Sequence, residues 1–343
     1  MKKTFSFLAV VCMAAAANAT IFRVSNVEGS SAPYTTITDA VNVANTGDTI
    51  MVDGSATSYG EINIGKSVVL IGPGYFLNEN DINLVSPAPA RAEYVEMNVE
   101  GAIMQGMTVE GDVEIFAPRC IVNGCRISGV IRLWGPHDEG KTGNAIDCVI
   151  HQNLLDGRIE GDFKESEYEP TISNVLISNN IFTGDANSYM GSIYCIKESV
   201  IAYNTWTQKT GMTLISIFNS TINNNIFPLA DEDGEDVDGR GYSCPTNLYN
   251  ARNNNKFLFY NTKDLQSWEW DDLVSPFEGH TDTDLAIKAI EDELFPNAGA
   301  FSGDTPYVIS GVPAGPVIQD LIVPVSVERG SKLQVTIKVG IQQ

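Results

Sequence analysis

A short pattern of apolar and polar positions recurs between Ile103 and Phe227. Each copy contains an apolar residue, two mostly polar residues, a central position, one spacer and a second apolar residue. The six residues at the central position are Met107, Cys125, Asn153, Asn180, Asn204 and Asn225. Successive copies stand between 18 and 28 residues apart, which is the repeat length of a solenoid.

The pattern predicts short β-strands rather than helices. Runs such as Val130–Leu133 are brief and β-branched, and glycine and asparagine separate them where a left-handed bend is needed. A strand, a bend at the central position and a second strand make one turn of a parallel β-helix. Because stacked turns place equivalent residues about 4.8 Å apart, we expect a ladder of hydrogen-bonded asparagines that begins at Asn153. A leucine-rich-repeat horseshoe is the alternative, but the spacing varies and a leucine consensus is missing.

Two further segments carry a family resemblance. One runs from Tyr34–Ala40 through Gly47–Val52 to Lys66–Gly74, and the other is Gly303–Pro313. With the repeat, they make the chain similar to the right-handed parallel β-helix superfamily, the architecture of pectate lyases. More narrowly, the chain resembles secreted β-helix proteins of Bacteroidetes-type bacteria. The resemblance implies an all-β, right-handed parallel β-helix solenoid and is specific for fold rather than for chemistry.

The first residues predict export. Residues 1–19 combine a basic start, an apolar stretch from Phe5 to Ala17 and an A-x-A cleavage site that ends at Ala19, as in a signal peptide. The apolar stretch is too short to span a membrane. We therefore expect an exported protein in the periplasm, on the cell surface or outside the cell, and not a membrane-spanning one.

Both ends of the β-helix are predicted to be capped. A short helix from Thr36 or Thr38 to about Asn45 would cover the first turn, and an amphipathic helix from Asp284 to Leu294 would close the other end. The first strands are expected at residues 49–52, 62–64 and 68–71. The predicted domains are a signal peptide (1–19), the β-helix with its caps (20–310) and a small C-terminal β appendage (311–343).

The charge of the chain restricts its partners. The formal net charge is −22, and removal of Lys2 and Lys3 with the signal peptide changes it to −24. Such an acidic surface repels nucleic acid and anionic lipid, so neither is expected as a partner. A polyuronate would also be repelled unless cations intervened.

Five of the six cysteines follow the signal peptide. Because this number is odd, at least one thiol is free. Cys120 and Cys148 both stand five residues before the central position of the pattern, which predicts that they stack in adjacent turns. We favour reduced core thiols over a disulfide for this pair. The paired Cys-x-x-Cys motifs of a zinc site are missing from the sequence.

Four insertions lengthen the turns: Trp134–Gly143, Asp162–Pro170, Asp185–Gly191 and Pro228–Tyr242. We expect all four at the same position in the turn and hence side by side on one lateral face, where loops on a rigid scaffold commonly carry recognition. Aromatic residues on these loops could stack on sugar rings, and ordinary packing that anchors the loops is the alternative. The candidate ligand-binding residues are Trp134, Tyr168, Tyr189, Arg240 and Tyr242.

An acidic run in the last insertion is a candidate metal site. Alternating carboxylates around Gly234 could surround a Ca²⁺ ion. The candidate ligands are Asp231, Asp233, Asp236 and Asp238. The spacing differs from that of an EF-hand loop, and a solvated acidic loop is the alternative.

Catalytic residues cannot be transferred from the superfamily. The resemblance implies that β-elimination would use a Lys or Arg base with a cation, but no spacing singles out one of the available bases: Lys141, Arg158, Lys164 and Arg240. The motif set of polygalacturonases is absent from the sequence. The three histidines are scattered: His137, His151 and His280.

The sequence therefore leaves three functions open. The first is recognition of complex carbohydrate through the stacked loops, without catalysis. The second is a divergent, cation-dependent polysaccharide lyase or hydrolase. The third is a structural or adhesive surface protein whose acidic loops contact another protein.

Overall fold

The structure, a computed structural model, contains a parallel β-helix. Within the described residues, three sheets consist entirely of parallel strands of two to five residues. The all-β parallel β-helix expected from the repeat is therefore confirmed. The described residues are 19–80, 87–136, 142–164, 169–184, 192–206, 214–229, 242–243, 256–259, 299–322, 332 and 335–342.

Each complete turn visits the three sheets, named A, C and B, in that order. Sheet A contains Ile21–Val24, Thr49–Val52, Val69–Ile71, Ile103–Gln105, Ile121–Asn123, Val149–His151, Leu176–Ser178, Val200–Ala202 and Thr221–Asn223. Sheet C contains Arg91–Ala92, Thr108–Val109, Arg126–Ile127, Leu154–Leu155, Ile181–Phe182, Thr205–Trp206, Ile226–Leu229 and Lys256–Phe259. Sheet B contains Glu61–Ile64, Tyr94–Met97, Val113–Ile115, Ile131–Leu133, Ile159–Glu160, Ile193–Lys197, Leu214–Phe218 and Tyr242–Ser243.

The asparagine ladder lies in the corner between sheets A and C. Asn153, Asn180, Asn204 and Asn225 are fully buried. Asn180 Oδ1 accepts hydrogen bonds from the backbone N–H and the side-chain amide of Asn153, both at 2.9 Å. The same pair of bonds links Asn180 to Asn204 and Asn204 to Asn225. The ladder begins where the sequence predicted, because Cys125 donates its backbone N–H to Asn153 at 2.9 Å but has no side-chain amide.

The bend falls one residue before the ladder position. The residues there have a left-handed φ between 54° and 57°: Gln152, Asn179, Tyr203 and Asn224. Gly124 holds the same place one turn earlier, with φ of 57°. A left-handed φ reverses the chain direction within one residue, so the bend precedes the asparagine instead of coinciding with it.

Inward side chains stack in rows along the axis. In sheet A, Val122, Ile150 and Ile177 follow one another in paired register and are fully buried. In sheet C, the rings of Phe182 and Trp206 stack with their centroids 4.6 Å apart, which confirms that Trp206 faces the core. These rows bury apolar surface, which stabilises the fold by about 25 cal/mol per Å². A very short strand could not bury enough apolar surface alone.

The cysteines are part of this core. Cys120 and Cys148 precede the paired residues Ile121 and Val149, so they stack in adjacent turns as predicted. Within the described residues the buried cysteines are free thiols. The hydrogen bond with the Cys120 thiol, together with burial, raises the pKa of Cys148, and burial raises the pKa of Cys125 to about 12. Cys125 and Cys148 therefore stay protonated and behave as small apolar side chains.

The N-terminal cap agrees with the sequence-based prediction. A helix spans Ile37–Val43, and the Thr36 side chain accepts a hydrogen bond from the Asp39 N–H at 3.2 Å. Its buried residues join the core of the first turns. The sequence analysis missed the strand Ile21–Val24, which pairs in parallel with Thr49–Val52.

Residues Gly299–Pro313, here named the return segment, run back along the corner between sheets A and C. At one end, Gly299 donates its N–H to Asn224 O at 2.8 Å. In the middle, Asn179 Nδ2 donates to Ala300 O at 3.0 Å. At the other end, Ser310 O accepts from the Tyr75 N–H at 2.9 Å. The return segment therefore contacts a series of turns. These run from the turn that contains Asn225, the last ladder asparagine, back to Tyr75, which precedes the first strand of sheet C.

The C-terminal appendage forms an antiparallel pair of strands, Gly315–Ile322 and Thr336–Gln342. This confirms the small β appendage expected there, whereas the predicted helix Asp284–Leu294 lies outside the described residues. In the part of the chain that the structure describes, no helix has the length and apolar character needed to cross a membrane.

Replacement Asn180→Ala is expected to destabilise the protein by about 3–5 kcal/mol, because buried groups above and below it would lose their partners. The control is Asn123→Ala, on the outer side of sheet A, which should change stability by less than about 1 kcal/mol. Urea unfolding followed by circular dichroism measures both. Equal effects of the two variants would contradict the role given to the ladder.

Candidate functional site

The four insertions do not leave the β-helix at one position, so that prediction is wrong. Residues 134–143 and 162–170 follow strands of sheet B and lead to sheet A, whereas residues 185–191 and 230–241 lie between strands of sheets C and B. The repeated pattern marks only the corner between sheets A and C. The other two corners vary in length independently, and the sequence carries no signature that separates them.

The outer side of sheet B nevertheless brings several functional side chains together. Glu96, Glu114, Arg132 and Glu160 occupy equivalent positions on four successive strands. They alternate with fully buried inward residues such as Ile131, so all four project from the same side of the sheet. This row, with Asp112, Arg158, Tyr94, Phe116 and Trp134, is named the sheet B face.

Arg132 is the centre of the sheet B face. Its guanidinium group donates to Glu114 Oε1 at 3.2 Å and to Glu160 Oε2 at 3.1 Å, and Asp112 Oδ2 lies 3.7 Å away. The two glutamate side chains are only 9% and 10% exposed. Glu160 also accepts from Arg158 at 3.0 Å. Arg132 is thus held by carboxylates from the strands on both sides of it.

Negative charge exceeds positive charge on the sheet B face. Carboxylates at Asp112, Glu114 and Glu160 contact the guanidinium groups of Arg132 and Arg158, and Glu96 lies beside Glu114 on the next strand. Burial opposes the charge of Arg132, but the hydrogen bond to Glu160 and the attraction to Glu160, Asp112 and Glu114 together outweigh this and raise the pKa of Arg132. The face therefore offers fixed hydrogen-bond acceptors, which suit hydroxyl donors and disfavour an anion.

Tyr94 adds a neutral donor to the sheet B face. Its hydroxyl donates to Glu96 Oε1 at 3.2 Å. Burial, followed by hydrogen bonding to Glu114 and the negative charges nearby, raises the pKa of Tyr94. The phenol therefore keeps its proton throughout the neutral range, and it links two carboxylates of the row.

Trp134 lies at the end of the strand Ile131–Leu133, on the sheet B face. Its ring stacks on Phe116 of the previous turn, with centroids 5.7 Å apart and an angle of 5° between the planes. The guanidinium carbon of Arg132 is 5.8 Å from the Trp134 ring centroid. Trp134 therefore packs on Phe116, as the alternative of ordinary loop-anchoring packing predicted. It also borders the row of charged residues that contains Arg132.

Besides Trp134, one predicted ligand-binding residue, Tyr242, lies among the described residues. Tyr242 begins a strand of sheet B that pairs with Leu214, the same sheet that carries the charged row. Among the described residues, no group of three or more His, Cys, Asp or Glu side chains is placed to hold a metal ion. The candidates that lie outside the described residues are Tyr168, Tyr189, Asp231, Asp233, Asp236, Asp238 and Arg240.

Sequence reasoning missed the central residues of the face, Glu114, Arg132 and Glu160. Glu114 and Arg132 each stand between two apolar residues and Glu160 follows Ile159, and this alternation is a usable signal that the side chain points outward. Their stacking depends on register between turns 18 and 28 residues apart. Register of that kind depends on the lengths of all three corners, and the repeated pattern marks only the one between sheets A and C.

Comparison with family models, curated proteins and solved structures finds no match for this chain. The parallel β-helix is established by the strand pairing itself. Any function must accordingly be argued from the geometry of the sheet B face and of the surfaces around it.

Replacement Arg132→Ala is expected to cost about 2–4 kcal/mol of stability, because the nearly buried Glu114 loses its ion pair with Arg132 and Glu160 keeps only Arg158. The control Arg23→Ala removes an exposed pair with Asp53, whose nitrogen–oxygen distance is 2.7 Å, and should cost at most about 1 kcal/mol. Urea unfolding of both variants gives the comparison. If both variants lost a similarly small amount of unfolding free energy, the carboxylates around Arg132 would be exposed to solvent rather than nearly buried.

Proposed function

We propose that this protein is an exported carbohydrate-binding protein of the pectate-lyase-like β-helix superfamily, which recognises a neutral, hydroxyl-rich glycan on the sheet B face. The observation that carries the proposal is the Trp134–Phe116 pair beside the carboxylate row centred on Arg132. Export rests on the signal peptide expected in residues 1–19.

The chemistry of the sheet B face suits sugars. Aromatic rings pack against the apolar faces of sugar rings, while carboxylates accept hydrogen bonds from hydroxyl groups. A row repeated about every 4.8 Å offers many shallow contacts along an extended polymer. The excess of carboxylates at Glu96, Glu114 and Glu160 favours a neutral glycan over a polyuronate.

A hydrolase is the second candidate, and one observation favours it. Glu96 and Glu114 are paired in register on adjacent strands, which places their backbones about 4.8 Å apart. Retaining glycosidases hold two carboxyl groups about 5–5.5 Å apart. A hydrolase would release new reducing ends from a glycan, and Glu114→Gln would abolish that release while binding persisted.

Replacement Trp134→Ala is expected to weaken glycan binding about tenfold, because the aromatic contact area is lost. Affinity electrophoresis of the mature protein in gels containing a panel of neutral and acidic polysaccharides measures the dissociation constant. Leu176→Ala, which removes an apolar side chain from the outer side of sheet A, is the control and should bind like the parent protein.

Two results would count against this proposal. If no polysaccharide retards the parent protein, the adhesive alternative is favoured. If Trp134→Ala and Leu176→Ala bind equally well, the glycan does not contact the sheet B face. Product formation that depends on Ca²⁺ and stops on chelation would indicate the lyase alternative instead.

A further inference from the structure

A cavity of about 400 Å³ lies on the outer side of sheet C, away from the sheet B face. Its floor is formed by Arg91, Thr108 and Arg126, and its wall includes Phe76 and Pro89. Cavities of this size commonly hold small molecules. Neither the repeated pattern nor the proposed glycan face accounts for it.

The wall is formed by residues 75–79, Pro87 and Pro89, which belong to the excursion of the chain between the strands Val69–Ile71 and Arg91–Ala92. Tyr75 and Leu77 are each 1% exposed and anchor the first half of the excursion. The return segment fixes it from outside, since Asn80 Nδ2 donates to Ser310 Oγ at 2.7 Å. Phe76 adopts a left-handed φ of 49°, and its ring centroid lies 4.6 Å from the guanidinium carbon of Arg126.

The floor has hydrogen-bonding capacity that the described residues do not use. Arg91, Thr108 and Arg126 are paired in register on three successive strands. Thr108 is 7% exposed. Within the described part of the chain, its hydroxyl and Arg126 Nε are buried without a hydrogen-bond partner. Leaving such groups unpaired is costly, so a ligand that supplies hydrogen-bond partners for them would be favoured.

The charges around the cavity are already balanced. Arg126 pairs with Asp156, at 3.3 Å, and Arg91 lies 3.7 Å from Glu110. Glu79 adds a further carboxylate to the lining. An anionic ligand would therefore meet guanidinium groups that are already paired with carboxylates, and it would be repelled by the lining carboxylates Glu79 and Glu110. A neutral ligand with several hydroxyl groups matches the mixture of donors and acceptors.

We infer that this cavity is a second binding site, which holds one neutral sugar residue against the floor formed by Arg91, Thr108 and Arg126. The sugar hydroxyls pair with the Thr108 hydroxyl, Arg126 Nε and the lining carboxylates, while Phe76 and Pro89 cover an apolar part of the ring. This site is independent of the sheet B face and would take a chain end or a free monosaccharide.

The test uses isothermal titration calorimetry of the mature protein with glucose, galactose, mannose and N-acetylglucosamine, and with glucuronate as the anionic probe. At least one neutral sugar should bind, and glucuronate should bind more weakly. Thr108→Val keeps the shape but removes the hydroxyl, and should weaken binding about tenfold. Thr108→Ser keeps the hydroxyl and should bind within about threefold of the parent protein.

Ser128→Leu places a larger side chain in the lining from an exposed position and should abolish binding. Thr221→Val, on sheet A, is the matched control and should leave binding unchanged. The inference fails if no neutral sugar binds, if glucuronate is preferred, or if Thr108→Val and Ser128→Leu both bind like the parent protein.

Trp134→Ala separates this site from the sheet B face. It should weaken binding of a polysaccharide and leave binding of the monosaccharide intact. If Trp134→Ala instead abolishes monosaccharide binding while Ser128→Leu retains it, the cavity inference is wrong and the proposed glycan face stands. If only the cavity variants alter binding, the proposed glycan face is wrong and the cavity site stands.

Discussion

Buried hydrogen-bonding groups at the corner between sheets A and C are the constraint on which the β-helix depends. The bend takes the backbone out of sheet pairing, and unpaired polar groups inside a protein are costly. The ladder asparagines supply hydrogen-bond partners to these polar groups along the axis of the β-helix. Asn180, for example, accepts from Asn153 of the preceding turn at 2.9 Å and donates to Asn204 Oδ1 of the following turn at 3.0 Å. The turns are therefore joined one to the next by side-chain amides as well as by strands.

Much of this architecture could be predicted because it depends on local pattern. The asparagine ladder, the helix capped by Thr36 and the inward position of Trp206 all follow from residues within one turn. The corner occupied by each insertion could not be predicted, because two-residue strands leave no periodicity to count. The contact between Asn179 and the return segment is set by packing across 121 residues of sequence, which no local signal records.

The three outer faces have different chemistry although one repeat generates them. On sheet A the outward residues include aliphatic side chains such as Leu176 and Val200, which are 37% and 39% exposed. On sheet C the outward residues Leu154 and Ile181 pack beneath Tyr307 of the return segment. Sheet B carries the charged row. The role of a single residue such as Arg132 follows only from the strand register, which places carboxylates on the strands at both sides of it.

The return segment also alters the order in which this solenoid can be completed. In most repeat proteins each unit contacts only its neighbours, so units can settle in turn as the chain leaves the ribosome. Here the Tyr75 and Tyr307 hydroxyls share a hydrogen bond although they are 232 residues apart. The wall of the sheet C cavity therefore gains its final support only after synthesis has passed Pro313. The packing around Tyr75 is thus completed by a residue that is synthesised 232 positions later.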